Sequence, residues 1–262
     1  ELSITKLFMI GLVPGLIIGF FLLIMWFFVV RIDGYTETIT FTREQAINIL
    51  KEATPAFMLP VLLLGGIRGG VFTPTEGGAF AAVYAIVVTV FYYRELSMRD
   101  LLRVSATAAR STAVVMLIVG AATAVGWFIT AAQIPAQMTA FFEPLVPTPT
   151  LLLIAIMAFL FAAGMVMDLT PNILLFAPVF YPLTNAAGID PYFFGLLFVL
   201  NVGIGVITPP VGTVLFVVCG SAGITMGHLV RKMAPFLLME VAVLFLLLLF
   251  PKLSLVPLKW LM

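Results

Sequence analysis

The stretch LNVGIGVITPPVGTVLFV, residues 200–217, decides how the chain is read. Apolar, helix-like sequence runs into Gly203 and Gly205, stops at Thr208-Pro209-Pro210-Val211-Gly212, and resumes as apolar sequence through Ala222. Pro209 and Pro210 each lack an N–H, and each pushes the residue before it out of the helical region. The spacing therefore predicts a helix broken in mid-span. In hydrocarbon such a break strands carbonyl and N–H groups, so it persists only where protein, a water-filled cavity or a bound ion satisfies them. Interrupted helices of this kind hold ions and substrates at the midplane of membrane carriers, with freed carbonyls facing cations and half-helix N-termini facing anions. Asn201 and Thr208 add polar oxygens beside the break. A plain proline kink with no ligand is the alternative.

Hydrophobic residues make up 63% of the 262 and charged residues 10%, against roughly 25% charged in a soluble domain. With a mean hydropathy of +1.21, this composition predicts an all-α polytopic membrane protein. The net charge of +1 says nothing about partners, and no basic and aromatic pattern points to nucleic acid. Cys219 is the single cysteine, which excludes a disulfide framework and a thiolate metal site. The single histidine, His228, sits in a basic loop. Because the chain opens on Glu1 rather than Met, it is expected to be a piece of a longer protein.

Outward from the break, residues 7–30 carry no charge and suffice for a full crossing. Residues 42–52 have an apolar stripe at Ala46, Ile47, Ile49 and Leu50, and are expected to lie along the interface. Two apolar limbs, 55–67 and 79–93, flank RGGVFTPTEGG; Thr73 as N-cap, Pro74 at the first helical position and Glu76 in a capping box predict a helix start there. Residues 94–110, with four arginines, read as an amphipathic cytoplasmic segment, and 112–132 as the next crossing, lined with small residues. Neither 133–150 nor 184–191 contains Lys or Arg, so both are expected outside, whereas Arg231 and Lys232 mark 227–232 as inside. If both acidic-neutral loops face out, 151–183 must return to the side it left, which makes it a re-entrant hairpin with its tip near Asp168. The broken element 192–222 and a terminal helix follow. The expected division is a connector part (1–54), a scaffold part (55–132) and a transport part (133–262), the limbs around Arg68–Glu76 forming a second returning pair.

Four charges fall in apolar stretches: Arg68, Glu76, Asp168 and Glu240. Each costs roughly 3 kcal/mol on insertion scales, so such residues usually face a protein interior or an aqueous path. Asp168, beside Gly164 and Thr170-Pro171, offers a hard oxygen ligand with freed carbonyls around it. It also stands where a cap for the following helix belongs. Glu76 is expected to serve its capping box and to pair with Arg68 across the turn; Glu240 is expected at a scaffold or subunit contact.

Four blocks carry a resemblance: GGIRGGVFTPTEGGAFAAVYA (65–85), GMVMDLTPNILLFAPVFYP (164–182), GIDPYFFGLLFVLNVGIGVITPPVGTVLFV (188–217) and LVRKMAPFLLMEVAVLFLLLLFPKLSL (229–255). In that order they resemble the large membrane subunit of tripartite ATP-independent periplasmic (TRAP) transporters. The resemblance implies an ion-transporter-superfamily fold of two inverted repeats, re-entrant hairpins and an elevator motion, in the bacterial inner membrane. It implies sodium as coupling ion, no cofactor, a small four-helix membrane subunit, surrounding lipid, and a periplasmic binding protein that delivers an organic acid such as sialic acid or a C4-dicarboxylate. The first hairpin and first broken helix of the family would lie in an N-terminal part missing here. Carried over, one sodium would be held largely by carbonyls of Gly164, Met165, Gly205, Thr208 and Gly212, and substrate would meet Asp168, Thr170 and Asn201. Arg68, Thr73, Pro74, Glu76, Pro209 and Pro210 mark the family's structural motifs. One departure is Gly77-Gly78, where the family more often has alanines. A stand-alone exchanger of the same superfamily is the second reading. An intramembrane hydrolase built on Asp168 is the third, and it lacks a partnering acid, an HExxH pair and a GxSxG elbow.

Overall fold

The computed structural model describes residues 3–34 and 42–255; the expected connector at 35–41 and the two chain ends lie outside them. Ten α-helices and no strand occur among the described residues: α1 (Ile4–Asp33), α2 (Arg43–Arg68), α3 (Pro74–Val87), α4 (Met98–Ala131), α5 (Ile134–Phe142), α6 (Pro149–Gly164), α7 (Leu169–Ala186), α8 (Pro191–Val206), α9 (Thr213–Ala222) and α10 (Met226–Leu249). Five helical stretches are long and apolar enough to cross a membrane: Lys6–Ile32, Arg43–Arg68, Pro74–Tyr92, Met98–Phe128 and Met226–Leu249. Contacts divide the chain into two units, Gly34–Thr112 and Glu1–Asp33 with Ala113–Met262, so that α4 contributes to both.

Within the smaller unit, residues 42–52 do not form a separate interfacial helix. They run on through Pro55 and Pro60 as α2. Thr42 starts it with a capping box to Gln45, whose side chain accepts from the Thr42 N–H at 3.0 Å. Pro55 and Pro60 cannot donate to the carbonyls of Lys51 and Ala56, four residues back, and two distant hydroxyls bond other carbonyls of the same stretch. Tyr93 Oη donates to Glu52 O at 2.6 Å and Tyr84 Oη to Pro55 O at 2.8 Å.

The turn after α2 closes with Gly69 N–H on Gly65 O and Val71 N–H on Gly66 O, and Gly70 takes φ +68°. Phe72 then folds back over Gly66 and stacks on Phe80 at 5.3 Å between ring centres. At α3 the Thr73 N–H donates to Glu76 Oε2 at 2.7 Å, and the Glu76 N–H to Thr73 Oγ1 at 3.3 Å. That carboxylate is engaged by Thr73, and no Arg68–Glu76 ion pair forms; Arg103 instead pairs with Asp100 at 3.9 Å. A π-helical turn, Val88–Tyr92, ends α3. Beyond it, the segments expected as separate at 94–110 and 112–132 merge into α4, whose interior contains no proline and whose Thr107, Thr112 and Thr123 hydroxyls bond back to the preceding turn.

In the larger unit, α6, α7 and α8 build a core that α1, α5 and α10 cover. Leu152, Ile156 and Leu160 of α6 meet Phe180 and Leu183 of α7, Leu197 and Val202 of α8, and Leu247 of α10. Phe159, Phe176 and Phe180 interlock edge to face at 5.2 and 5.5 Å, a geometry that adds about 1 kcal/mol per pair beyond burial. The opposite face of α1 exposes Leu16, Phe20, Leu23, Trp26 and Phe27, as a lipid-facing helix does. Helices α6 and α8 have 16 residues each, about 24 Å of rise, short of the roughly 30 Å hydrocarbon core. Neither is long enough to cross by itself.

The departure at Gly77-Gly78 has two different explanations. A Cβ at buried Gly77 would meet the Phe72 ring at 3.3 Å and Ile67 at 3.5 Å, whereas Gly78 has open space. Gly66 is tighter still, since a Cβ there would run into the Phe72 ring. Gly66→Ala is expected to lower the stability of the purified protein by about 1–3 kcal/mol through overpacking, and Gly78→Ala to raise it by up to about 1 kcal/mol. Thermal unfolding midpoints of the two variants check this; equal midpoints would mean that Phe72 does not close the turn.

Candidate functional site

Two interruptions face each other in the larger unit. The first is residues 165–168, between α6 and α7; the second is 207–212, between α8 and α9. Helices α6 and α8 cross where Gly164 lies on Gly205. A Cβ on Gly205 would stand 2.8 Å from Gly164 Cα and 3.2 Å from Phe161 O, and one on Gly164 would stand 3.2 Å from Val202 O. Only hydrogen at both positions lets the backbones approach this closely.

The crossing brings the first carbonyl past α6 onto the second break. Met165 O accepts from Val211 N–H at 3.3 Å and from Gly212 N–H at 3.2 Å. Gly212, in the left-handed region at φ +54°, opens α9. Pro209 and Pro210 cannot donate to the carbonyls of Gly205 and Val206, four residues back. Thr208 N–H takes Gly205 O at 2.8 Å, and Thr208 Oγ1 donates to Ile204 O at 2.6 Å. Among the described residues no N–H donates to the carbonyls of Gly164, Val206, Ile207 or Thr208. Four oxygens at the two breaks thus keep free lone pairs in a setting where unpaired peptide groups are costly.

Asp168 is the N-cap of α7. Its carboxylate is exposed and accepts from Leu169 N–H at 2.8 Å, while its backbone carbonyl accepts from the Asn172 N–H at 3.3 Å. Thr170 is half-buried in the first turn of α7. Asn201 is buried one turn before Gly205, and its Nδ2 donates to Met157 O at 2.8 Å, fastening α8 to α6. It also borders a hollow of about 400 Å³ lined by Met157, Phe161, Leu238, Leu244 and Phe245, a wall better suited to hydrocarbon than to a carboxylate. Gly164, Met165, Gly205, Thr208 and Gly212 are thus gathered at one place, with Asp168 and Thr170 on the following turn; Asn201 stands one turn away. Arg68, Thr73, Pro74 and Glu76 belong to the other unit, and Glu240 is half-buried on α10. No cluster of three or more His, Cys, Asp or Glu occurs among the described residues.

Sequence reasoning missed Asn172. Its side chain donates to Met167 O and Asp168 O and is fully buried. A polar residue four positions after Asp168, in an otherwise apolar run, was the available signal.

Residues 1–253 match the family model described as the tripartite ATP-independent periplasmic transporter, DctM component. The chain is similar to the 2,3-diketo-L-gulonate TRAP transporter large permease protein of Escherichia coli, 41% identical over 99% of this chain and 61% of that one. It is also similar to the sialic acid TRAP transporter large permease protein of Vibrio cholerae, 34% identical over 97% of this chain and 59% of the other. With the C4-dicarboxylate TRAP transporter large permease protein of Pseudomonas aeruginosa it shares 33% identity over 100% of this chain and 61% of the relative. The chain spans about three fifths of the length of these relatives.

The glycine crossing makes a direct prediction. Gly205→Ala presses a methyl against backbone that cannot rotate away and is expected to cost about 1–3 kcal/mol; Gly203→Ala, with open space around it, is expected to be neutral or slightly stabilising. Thermal unfolding of the two variants in detergent reads the difference, and a harmless Gly205→Ala would refute the close approach.

Proposed function

This chain belongs to the DctM-component family of tripartite ATP-independent periplasmic transporters, and from that premise we propose that the complete protein takes up an organic acid by sodium-coupled secondary transport. It is a multi-pass protein of the bacterial inner membrane. The three relatives are named for 2,3-diketo-L-gulonate, C4-dicarboxylates and sialic acid, all of them carboxylates at neutral pH. A carboxylate-bearing solute is therefore the substrate class, delivered by a periplasmic binding protein to a permease that works with a small membrane subunit.

The observation that carries this reading is the meeting of two helix breaks with undonated carbonyls between them. Neutral carbonyl oxygens suit a small hard cation. Sodium held by such oxygens draws the breaks together before substrate arrives, so the ordering cost is met by the ion and substrate binds more tightly. Couplings of this kind amount to about 1–3 kcal/mol. The transport part, carrying both breaks and the ion, then moves across the membrane against a scaffold. Asp168, as the cap of α7, keeps the tip of the hairpin in one shape.

Reconstitution tests this. Full-length permease with its small subunit and binding protein, in proteoliposomes without ATP, is expected to accumulate the organic acid when sodium is applied from the binding-protein side. Replacing sodium with choline is expected to reduce uptake by about tenfold or more. Uptake that requires ATP, or that continues unchanged in choline, would overturn the proposal.

A further inference from the structure

The hairpin tip contains one polar atom that its hydrogen bonds leave over. Asn172 is fully buried, and its Nδ2 donates to Met167 O at 3.1 Å and to Asp168 O at 2.9 Å. Its Oδ1 is buried too and has no partner; among the described residues only the Ser254 hydroxyl shares that condition. Turning the amide over gives no relief, because Oδ1 would then face two carbonyl oxygens. Its neighbours along α7, Leu169, Ile173 and Phe176, pack into the apolar core. A buried acceptor in such surroundings is costly and is nearly always satisfied in a functioning protein.

We infer that Oδ1 of Asn172 is a sodium ligand, the side-chain oxygen of a site otherwise made of backbone carbonyls at the tip. In its fixed orientation the atom presents lone pairs alone, so it attracts a cation and repels a substrate carboxylate. A neutral amide oxygen is a hard ligand of the type that small cations take. The undonated carbonyl of Gly164 belongs to the same tip. Two hydrogen bonds from Nδ2 hold the side chain in one rotamer, so the ligand is positioned before the ion arrives. This inference rests on the sodium-coupled reading and adds to it a residue that sets ion affinity.

The test is sodium-dependent thermal stabilisation of the full-length permease with its small subunit, titrated with sodium chloride against a choline chloride background. Asn172→Ala and the volume-filling Asn172→Leu are expected to need about tenfold more sodium, or beyond, for half-maximal stabilisation. Asn172→Asp, which keeps an oxygen at the position, is expected to stay closer to wild type than either. Half-saturation of the Ala and Leu variants within about twofold of wild type would overturn the inference and leave sodium coupling intact. If folded wild-type protein shows no sodium-specific shift and its uptake ignores sodium, the underlying reading fails. Should no variant fold, a cryo-electron microscopy map of the wild-type assembly in sodium decides. Density in ligand contact with Oδ1 and absent in choline supports the inference, and an oxygen bonded to water or to a protein donor refutes it.

Discussion

A peptide group in hydrocarbon has nowhere to turn but to other protein atoms, and the larger unit is arranged around two places where the chain violates that condition. Helices α6 and α8 each stop after 16 residues. Neither stop is tolerable alone. Placed together, one carbonyl of the first serves two N–H groups of the second, which the glycine crossing allows. Pro209 and Pro210 subtract two N–H groups and no carbonyl, and four carbonyls at the breaks are left without an N–H donor among the described residues. Carbonyls left over in this way suit a cation.

The smaller unit meets the same condition differently. Pro55 and Pro60 also remove donors, yet α2 stays continuous, and the hydroxyls of Tyr84 and Tyr93 bond the nearby carbonyls of Pro55 and Glu52. Phe72 fills the space over the turn glycines. Prolines thus leave a continuous helix in one unit and a broken one in the other. What separates the two cases is spacing, since Pro55 and Pro60 stand apart in the chain whereas Pro209 and Pro210 are consecutive.

Much of this was legible in the amino-acid string. Consecutive prolines mark the stop at 207–212, Asp168 and Thr170-Pro171 mark the start of α7, and Thr73-Pro74-Thr75-Glu76 marks the start of α3. These are local signals, each decided by one missing N–H or one capping side chain. What remained hidden depends on partners far along the chain. The tyrosines that bond α2 lie 29 and 41 residues away, and proline alone suggested a boundary where none exists. The absence of an Arg68–Glu76 pair follows from a carboxylate already occupied by Thr73. Gly164 and Gly205 were expected to matter for their carbonyls, and their lack of side chains turned out to matter as much. The idle oxygen of Asn172 emerges only once both of its amide hydrogens are seen to be spoken for.

The shared carbonyl of Met165 has a mechanical consequence. Two N–H groups from adjacent residues converge on one oxygen at nearly equal distance, 3.3 and 3.2 Å, so neither bond is at its optimum and a small tilt of α9 lengthens one as it shortens the other. Load passes between the two amides without the joint letting go. Glycine backbone keeps side chains out of the closest point of the crossing, and there the hairpin tip and the second break are joined by a swivel rather than a weld.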